Sequence, residues 1–129
     1  MKTVLIIDKD PKLLKEVNDC LSDSGYHVIS VQDGATGVQR TLQYLPDIIL
    51  CDAQPEGLSG HEVFSMVQQI NSTAVIPFIF LTHKNSYQEL RSAMDLGIDD
   101  LIVKPFDIKE LKKLIEVRLK RQERIMNMV

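Results

Sequence analysis

The sequence has little cysteine and no long hydrophobic run, and each absence excludes a class of protein. Its two cysteines, Cys20 and Cys51, form neither a CxxC pair nor a disulfide framework, which is typical of a reducing cytoplasm. No apolar run approaches the ~18 residues that a membrane span requires, and the start of the chain lacks the apolar core of a signal peptide. We therefore expect a cytoplasmic protein that does not contact membrane.

Composition and charge indicate a single globular domain. The chain has 129 residues, 44% of them hydrophobic and 26% charged, which excludes a disordered or fibrous protein. A domain of this size can bury a core without a disulfide or a metal. Residues 107–129 carry seven basic and four acidic side chains, whereas the rest of the chain is acidic. An acidic body argues against direct nucleic-acid binding by this domain, and the basic stretch is interpreted as a solvated helix face.

Short apolar runs alternate with amphipathic stretches along the chain. The runs at residues 4–7, 48–51, 78–81 and 101–103 are continuous, and residues 26–31 form a weaker one. Continuous apolar runs are typical of strands buried on both faces of a parallel sheet. In the run at residues 48–51, Cys51 is interpreted as a small core residue rather than a redox centre.

Five helices are predicted between and after these strands. Pro11 suits the first turn of the first helix, Gly25 and Gly97 suit helix ends, and Asp107 and Glu110 have the spacing of a capping box. Alternating strands and helices predict a doubly wound α/β fold with right-handed crossovers. The predicted apolar helix positions are Leu13, Leu14, Val17, Leu21, Val38, Leu42, Leu45, Val63, Met66, Val67, Ile70, Leu90, Ala93, Met94, Leu111, Leu114, Ile115 and Leu119.

Each strong apolar run is followed by a polar residue: Asp8, Asp52, Thr82 and Lys104. Because the carboxyl ends of parallel strands lie on one edge of the sheet, we expect these four side chains to converge in one pocket. Phosphoryl transfer to a carboxylate needs an anionic nucleophile, positive charge near the phosphoryl oxygens and a hydrogen-bond donor for the product. The predicted set of two carboxylates, a hydroxyl and an ammonium supplies all three.

These residues lie in stretches that resemble the receiver domains of two-component response regulators, as in chemotaxis-regulator-like proteins. The matching stretches are VLIIDKDP, PDIILCD, FIFLT and MDLGIDDLIVKPF. The resemblance implies a flavodoxin-like (βα)5 fold with a parallel five-stranded sheet in the order 2-1-3-4-5. It also implies that Asp52 accepts a phosphoryl group from a histidine kinase, that Thr82 and Lys104 bind that group, and that the Lys104–Pro105 peptide is cis.

The resemblance implies Mg²⁺ as well, but the residue after Asp8 departs from the family. Receivers usually carry two adjacent acids here, whereas this chain has Asp8 and Lys9. An ammonium cannot ligate a hard divalent cation. Three arrangements are open. Lys9 points to solvent and leaves a weak metal site made by Asp8, Asp52 and the backbone carbonyl near Gln54; Asp10 swings in as a replacement ligand; or Lys9 pairs with Asp52 and imitates the cation.

Three other positions depart from the family pattern. Leu101 stands where an aromatic ring often turns inward as the threonine moves, so it indicates simple packing or a weaker conformational switch. His83 follows Thr82 where a small residue is usual, and it either narrows access, donates a hydrogen bond or is merely exposed. Pro55 comes one residue earlier than in the family, and Glu56 takes its place as a candidate substitute carboxylate.

The main functional hypothesis is a phosphoacceptor receiver, not an enzyme, that gates a partner or an output domain. Its rival is a phosphorylation-independent pseudo-receiver that acts as a protein-binding module. A third reading is a phosphatase of the haloacid dehalogenase type, based on the DxD at residues 8–10. It is opposed by Pro11, which stands where those enzymes need glycine.

Domain limits and partner surfaces are expected from the same resemblance. Residues 1–120 are predicted to form the receiver domain, and residues 121–129 a charged helical tail or a connector to a missing output domain. The fourth predicted helix, the fifth strand and the fifth helix, around residues 87–118, are expected to form the surface for a partner protein or a homodimer.

Overall fold

The computed structural model describes residues 1–83 and 87–128. In chain order the elements are β1 (Thr3–Ile7), α1 (Pro11–Asp23), β2 (His27–Val31), α2 (Gly34–Tyr44), β3 (Ile48–Asp52), α3 (Gly60–Gln68), α4 (Asn71–Ala74), β4 (Phe78–His83), α5 (Tyr87–Leu96), β5 (Asp100–Lys104) and α6 (Ile108–Asn127). The strands form one parallel sheet in the order β2-β1-β3-β4-β5. The predicted doubly wound fold and strand order are confirmed.

The sheet is buried on both faces because helices cover each side. Along β1, alternate side chains point to opposite faces, so Leu5 and Ile7 join one core cluster while Val4 and Ile6 join the other. The first cluster packs beneath α2 and α3, and the second beneath α1 and α6. This two-sided burial explains why the strands appear as continuous apolar runs in the sequence.

The ends of the helices follow the predicted signals only in part. Asp10 caps α1 and Pro11 opens it, and Gly25 follows that helix with a φ of 92°. Asp107 caps α6 by accepting a hydrogen bond from the Lys109 N–H. The complete capping box, however, lies at Ser59 and Glu62 at the start of α3, where the sequence analysis did not place one.

Several apolar side chains that were predicted to face the core from a helix are exposed, so these predictions are wrong. Leu42 and Leu45 are 47% and 52% exposed, and Met66 and Ile70 are 42% and 39% exposed. Leu45 takes a left-handed conformation that ends α2, and Ile70 precedes α4, a short helix that was not predicted. The prediction for Met94 is also wrong, because its side chain is 72% exposed. The side chains of Leu90 and Ala93 lie outside the described residues.

The last helix continues through the predicted boundary at residue 120. Beyond that point Gln122 donates a hydrogen bond to the Val75 carbonyl, 2.8 Å away, and Glu123 pairs with Lys2 at 3.3 Å. Residues 121–127 are therefore a helical continuation that contacts the domain. Among the helices in the described ranges, none is both long and apolar enough to cross a lipid bilayer.

Candidate functional site

Polar side chains at the ends of four neighbouring strands, β1, β3, β4 and β5, meet at the carboxyl edge of the sheet. Asp8 directly follows β1, and Asp52 is the last residue of β3, the strand hydrogen-bonded to it. The Lys104 Nζ, at the end of β5, lies 2.6 Å from Asp8 Oδ2 and 3.6 Å from Asp52 Oδ2. Thr82 is buried near the end of β4, between these elements. The structure thus brings the four predicted site residues to one edge.

The two carboxylates are deeply buried and share a single cation. Asp8 is 0% exposed and Asp52 is 1% exposed. Asp8 is fully engaged, because its Oδ1 accepts the Asp10 N–H at 2.9 Å while its Oδ2 accepts from Lys104. Two buried acids beside one lysine leave the site with a net negative charge, an arrangement that costs desolvation energy.

One oxygen of Asp52 remains without a hydrogen bond. Its Oδ1 accepts the Gln54 N–H at 3.3 Å. Its Oδ2 is buried and has no hydrogen-bond partner within residues 1–83 and 87–128. Buried polar atoms are nearly always hydrogen-bonded, and the contact that this oxygen makes instead is the 3.6 Å ion pair with Lys104 Nζ. Asp52 Oδ2 is the atom of this site best placed to form a new bond.

The neighbouring cysteine does not take part in this chemistry. Cys51 is buried within β3. Burial raises the pKa of its thiol far above the ordinary value, and the negative charges of Asp52 and Asp8 raise it further. The thiol therefore stays protonated and unreactive. Its interpretation as a core residue is confirmed by its place in the cluster beneath α2 and α3.

The side chain of Lys9 points to solvent, as the first of the three predicted arrangements requires, and the weak metal site of that arrangement stays a prediction. Its side chain is exposed, and in the described part of the chain it forms no ion pair with Asp52 or any other acid. Its backbone carbonyl accepts a 3.4 Å hydrogen bond from Gln32 Nε2. Lys104, rather than Lys9, is the lysine that contacts the two buried carboxylates.

Among the described residues, neither candidate replacement carboxylate joins Asp8 and Asp52 in a group placed to hold a metal ion. Asp10 is exposed, and its side chain accepts the Lys12 N–H at 3.0 Å because it caps α1. Glu56 is exposed as well. Its main chain forms an isolated bridge to Asp33, in which the Gly34 N–H donates to the Glu56 carbonyl at 3.0 Å. The role of these acids as substitute ligands stays a prediction.

The first residue of α3 is hydrogen-bonded to the loop that follows Asp52. The Gly60 N–H donates to the Ala53 carbonyl at 2.8 Å. A Cβ added at Gly60 would lie only 2.6 Å from the Asp52 carbonyl oxygen. Only glycine permits so close an approach of the helix to the strand end. This contact was not predicted, because no local sequence pattern signals it.

A cleft of about 500 Å³ opens beside the carboxylates. His83, the last residue of β4, is exposed and lines this cleft together with Lys9 and Lys104. The cleft's other side is formed by the β5–α6 loop, where the Lys104–Pro105 peptide is cis as predicted. Leu101 lies away from this cleft, half-buried against the core cluster beneath α2 and α3, which agrees with simple packing.

The donors at this site do not fit a three-carboxylate Mg²⁺ site. Within the described ranges, no group of three or more His, Cys, Asp or Glu side chains is placed to hold a metal ion. Asp8 and Asp52 supply two carboxylates, and Lys104 already occupies Asp8 Oδ2. Hard divalent cations prefer several oxygen ligands, and the residue that should supply the third is a lysine.

Comparison with known proteins identifies related sequences. A family model described as a response regulator receiver domain matches residues 4–116. The chain is 34% identical over 125 residues to the DNA-binding dual master transcriptional regulator RpaA of Synechocystis, covering 97% of this chain and 52% of that protein. It is 33% identical over 122 residues to the response regulator ArlR of Staphylococcus aureus, covering 95% and 54%. The chain thus spans about half the length of these relatives.

Solved structures show the same fold. The receiver domain of the sensor histidine kinase PA1611 of Pseudomonas aeruginosa has a TM-score of 0.83, with 25% identity over 92% of this chain and 98% of that chain. A magnesium ion is coordinated in the active-site cleft of that protein. A CheY-like receiver domain protein of Methanospirillum hungatei has a TM-score of 0.88, with 22% identity over 96% and 98%.

Proposed function

The chain belongs to the response regulator receiver domain family, and from this membership we propose that it is a phosphoacceptor module of two-component signalling. Asp52 is the acceptor, and a histidine kinase supplies the phosphoryl group. The observation that carries this proposal is Asp52 Oδ2, a buried oxygen without a hydrogen bond in the described structure, 3.6 Å from Lys104 Nζ. A carboxylate oxygen of this kind is a suitable nucleophile for phosphorus.

The proposed reaction assigns a role to each neighbouring side chain. Asp52 Oδ2 forms a bond to phosphorus while the bond between phosphorus and the donor's leaving atom breaks. Lys104 stabilises the transferred oxygens electrostatically, and the Thr82 hydroxyl donates a hydrogen bond to one of them. Asp8 holds Lys104 in place at 2.6 Å before the transfer. These roles describe signalling by a modified side chain, not turnover of a substrate by an enzyme.

Mg²⁺ is proposed to bind this chain weakly. Receiver domains bind Mg²⁺ in this cleft, and its ligands here would be Asp8, Asp52 and the Gln54 carbonyl. With Lys9 in place of a third acid, the affinity falls because both a ligand and two units of favourable charge are missing.

Partners are proposed at the level of protein class. A histidine kinase acts upstream, and an output domain or partner protein binds the surface formed by α5, β5 and α6. Val103 in β5 and Val117 in α6 are 40% and 49% exposed, which leaves apolar side chains on this surface available to a partner. The same surface is proposed for a homodimer. We propose a cytoplasmic location and no direct nucleic-acid binding by this domain.

A second candidate function is favoured by Lys9. A receiver that lacks a metal ligand is also expected if the protein acts as a phosphorylation-independent binding module. In that case the buried carboxylates are a structural remnant, and contact through the surface of α5, β5 and α6 carries the signal.

Intact mass spectrometry after incubation with acetyl phosphate and Mg²⁺ tests the main proposal. We expect a mass increase of about 80 Da, the mass of one phosphoryl group, in the native protein and none in Asp52→Asn. Asp47→Asn is a matched control, since Asp47 lies at the opposite end of the sheet. No adduct in the native protein would reject the phosphoacceptor. An adduct that appears only in Lys9→Asp would favour the binding module.

A further inference from the structure

We propose that Lys9 supplies the positive charge that a divalent cation supplies in other receivers, so that Asp52 accepts a phosphoryl group with little dependence on Mg²⁺. The inference rests on the proposed phosphoacceptor function and adds how this site balances the charge of its product. It starts from the poor fit between the residues present and a three-carboxylate metal site.

The net charge of the phosphorylated site supports this proposal. A phosphoryl group brings a charge of about −2 near neutral pH. With Asp8 negative and Lys104 positive, the modified site has an excess of about two negative charges, which burial makes costly. Replacing an acid with Lys9 changes the local charge by two units, the charge of one Mg²⁺. A metal-free site with Lys9 therefore has the same net charge as a metal-loaded site with an acid at that position.

The position of the Lys9 side chain also supports the proposal. Lys9 directly follows Asp8 and lines the same cleft of about 500 Å³ as Lys104 and His83. Across the described residues no ion pair holds its ammonium elsewhere. The side chain is exposed and its stem is flexible, so it can turn toward new negative charge without breaking a contact. Asp10 and Glu16 also line the cleft, and the Asp10 carboxylate accepts the Lys12 N–H as the cap of α1.

Hydrogen bonds fix the backbone at Lys9, whereas no ion pair among the described residues fixes its side chain. The Lys9 carbonyl accepts from Gln32, and the Asp8 N–H donates to the Val31 carbonyl at 3.0 Å. The stem of Lys9 therefore starts from a fixed point at the rim of the cleft. Asp8 and Lys104 line the same cleft as Lys9, and Lys104 Nζ lies 3.6 Å from Asp52 Oδ2, so a cation anchored at this rim is close to the residues that surround the proposed product.

The reaction of Asp52 with acetyl phosphate forms and breaks its bonds without a metal ion. Acetyl phosphate reacts with the Asp52 carboxylate: a bond forms between Oδ2 and phosphorus, and the bond between phosphorus and the acetyl oxygen breaks. Acetate leaves with that electron pair, and no proton is needed from the protein. Lys104 and Lys9 provide only electrostatic stabilisation of the oxygens that move.

The experiment measures the rate of phosphorylation of the intact protein by mass spectrometry, in excess EDTA and in Mg²⁺. In the native protein we expect the two rates to agree within about threefold, well below the tenfold scale of one lost charge-assisted hydrogen bond. In Lys9→Asp we expect the rate in EDTA to fall at least about tenfold below its rate in Mg²⁺. Lys9→Met, which removes only the charge, should slow in EDTA relative to the native protein. Lys12→Asp makes the same charge change at an exposed position that does not line the cleft and should behave as the native protein does.

Calorimetric titration with MgCl₂ gives a readout that is independent of phosphorylation. Lys9→Asp should bind Mg²⁺ more tightly than the native protein by at least about tenfold, because it restores a carboxylate ligand. Equal affinities would overturn the assignment of Lys9 to the metal's place.

The outcomes separate this inference from the proposed function. Modification of Asp52 in the native protein only when Mg²⁺ is present overturns the inference and leaves the phosphoacceptor intact. Equal rates for Lys9→Met and the native protein in EDTA also overturn it, because the charge of Lys9 then has no role. Absence of modification under both conditions rejects the phosphoacceptor itself, and the inference with it.

Discussion

The amino end of the sheet uses aspartate differently from the carboxyl end. Asp47 directly precedes β3, and its Oδ2 accepts the N–H of Thr3, the first residue of β1, at 2.7 Å. Asp99 stands just before β5 and accepts the N–H of Phe78, the first residue of β4, also at 2.7 Å. In both cases an acid before one strand satisfies the first N–H of the adjacent strand.

At the carboxyl end, two aspartates face one lysine. Asp8 and Asp52 share Lys104, and Asp52 Oδ2 is left without a hydrogen bond among the described residues. At the amino end each acid accepts an N–H from the neighbouring strand, whereas at the carboxyl end each acid accepts a nearby N–H and also competes for one lysine. The difference teaches that the acids at the amino end join strands, while the carboxyl end holds an oxygen, Asp52 Oδ2, that has no hydrogen bond among the described residues.

Removing the shared cation should give the largest effect. Lys104→Met leaves two buried carboxylates unpaired, and we expect a loss of about 3–5 kcal/mol in the free energy of unfolding. Urea unfolding at pH 7 measures it, with the exposed Lys12→Met as a matched control that should change little. A loss no larger than that of the control would show that the two acids do not depend on Lys104, which would break the comparison.

A smaller loss is expected at the amino end. Asp47→Ala removes the acceptor of the Thr3 N–H, and we expect a cost of about 2 kcal/mol, the usual scale for a hydrogen bond to a charged group. The same urea titration measures it. If this variant were as stable as the native protein, the acids at the amino end would not be structural.

Asp33 tests whether position alone decides the role of an acid. It lies at the carboxyl end, after β2, but caps α2, and the N–H and hydroxyl of Thr36 hold the pKa of its carboxyl below the ordinary value. We expect Asp33→Ala to cost about 1 kcal/mol at neutral pH. A lowered pKa in the folded state contributes stability that is fully present above the ordinary carboxyl pKa and is lost as the pH falls through the lowered value.

Urea unfolding of Asp33→Ala and the native protein from pH 7 to pH 2.5 follows this linkage. The difference between the two proteins should be constant above about pH 5 and shrink below about pH 4. A difference that stayed constant over the whole range would mean that the charge of Asp33 has no part in capping.

The smallest expected effect has the opposite sign. Asp52→Asn removes one of the two charges that compete for Lys104, so the free energy of unfolding should rise by up to about 1 kcal/mol. Thermal unfolding beside Asp47→Asn measures it, since the second variant weakens a satisfied acid and should lower stability. Destabilisation by Asp52→Asn would show that this charge, too, serves the fold.

Much of the site could be predicted because it follows from the period of the strands. Asp8, Asp52, Thr82 and Lys104 each stand at the end of an apolar run, and a parallel sheet gathers such ends at one edge. The orientation of Lys9 could not be predicted in the same way. An exposed lysine has many rotamers of similar energy, so no sequence pattern selects one of them.

Contacts that depend on strand pairing were also beyond local patterns. Asp47 and Asp99 accept hydrogen bonds from residues that are 44 and 21 positions away in the sequence.

The prediction that certain helix residues face the core was wrong for a different reason. Apolar residues at Leu42 and Met66 fit a helical period, yet α2 and α3 bury only a narrow stripe, so these side chains are exposed. The Ser59–Glu62 capping box was visible in the spacing and was overlooked.

The close seating of Gly60 against the acceptor strand has a mechanical consequence. Because the first turn of α3 touches the Asp52 and Ala53 carbonyls without a side chain between them, any displacement of the strand end pushes directly on the helix. A helix of nine residues is a stiff rod of about 13 Å. Its Val63, Phe64 and Val67 are buried in the core, and Met66 near its far end is 42% exposed. We expect a shift at Asp52 to reach this exposed surface through α3, because no side chain lies between the strand end and Gly60 to absorb it.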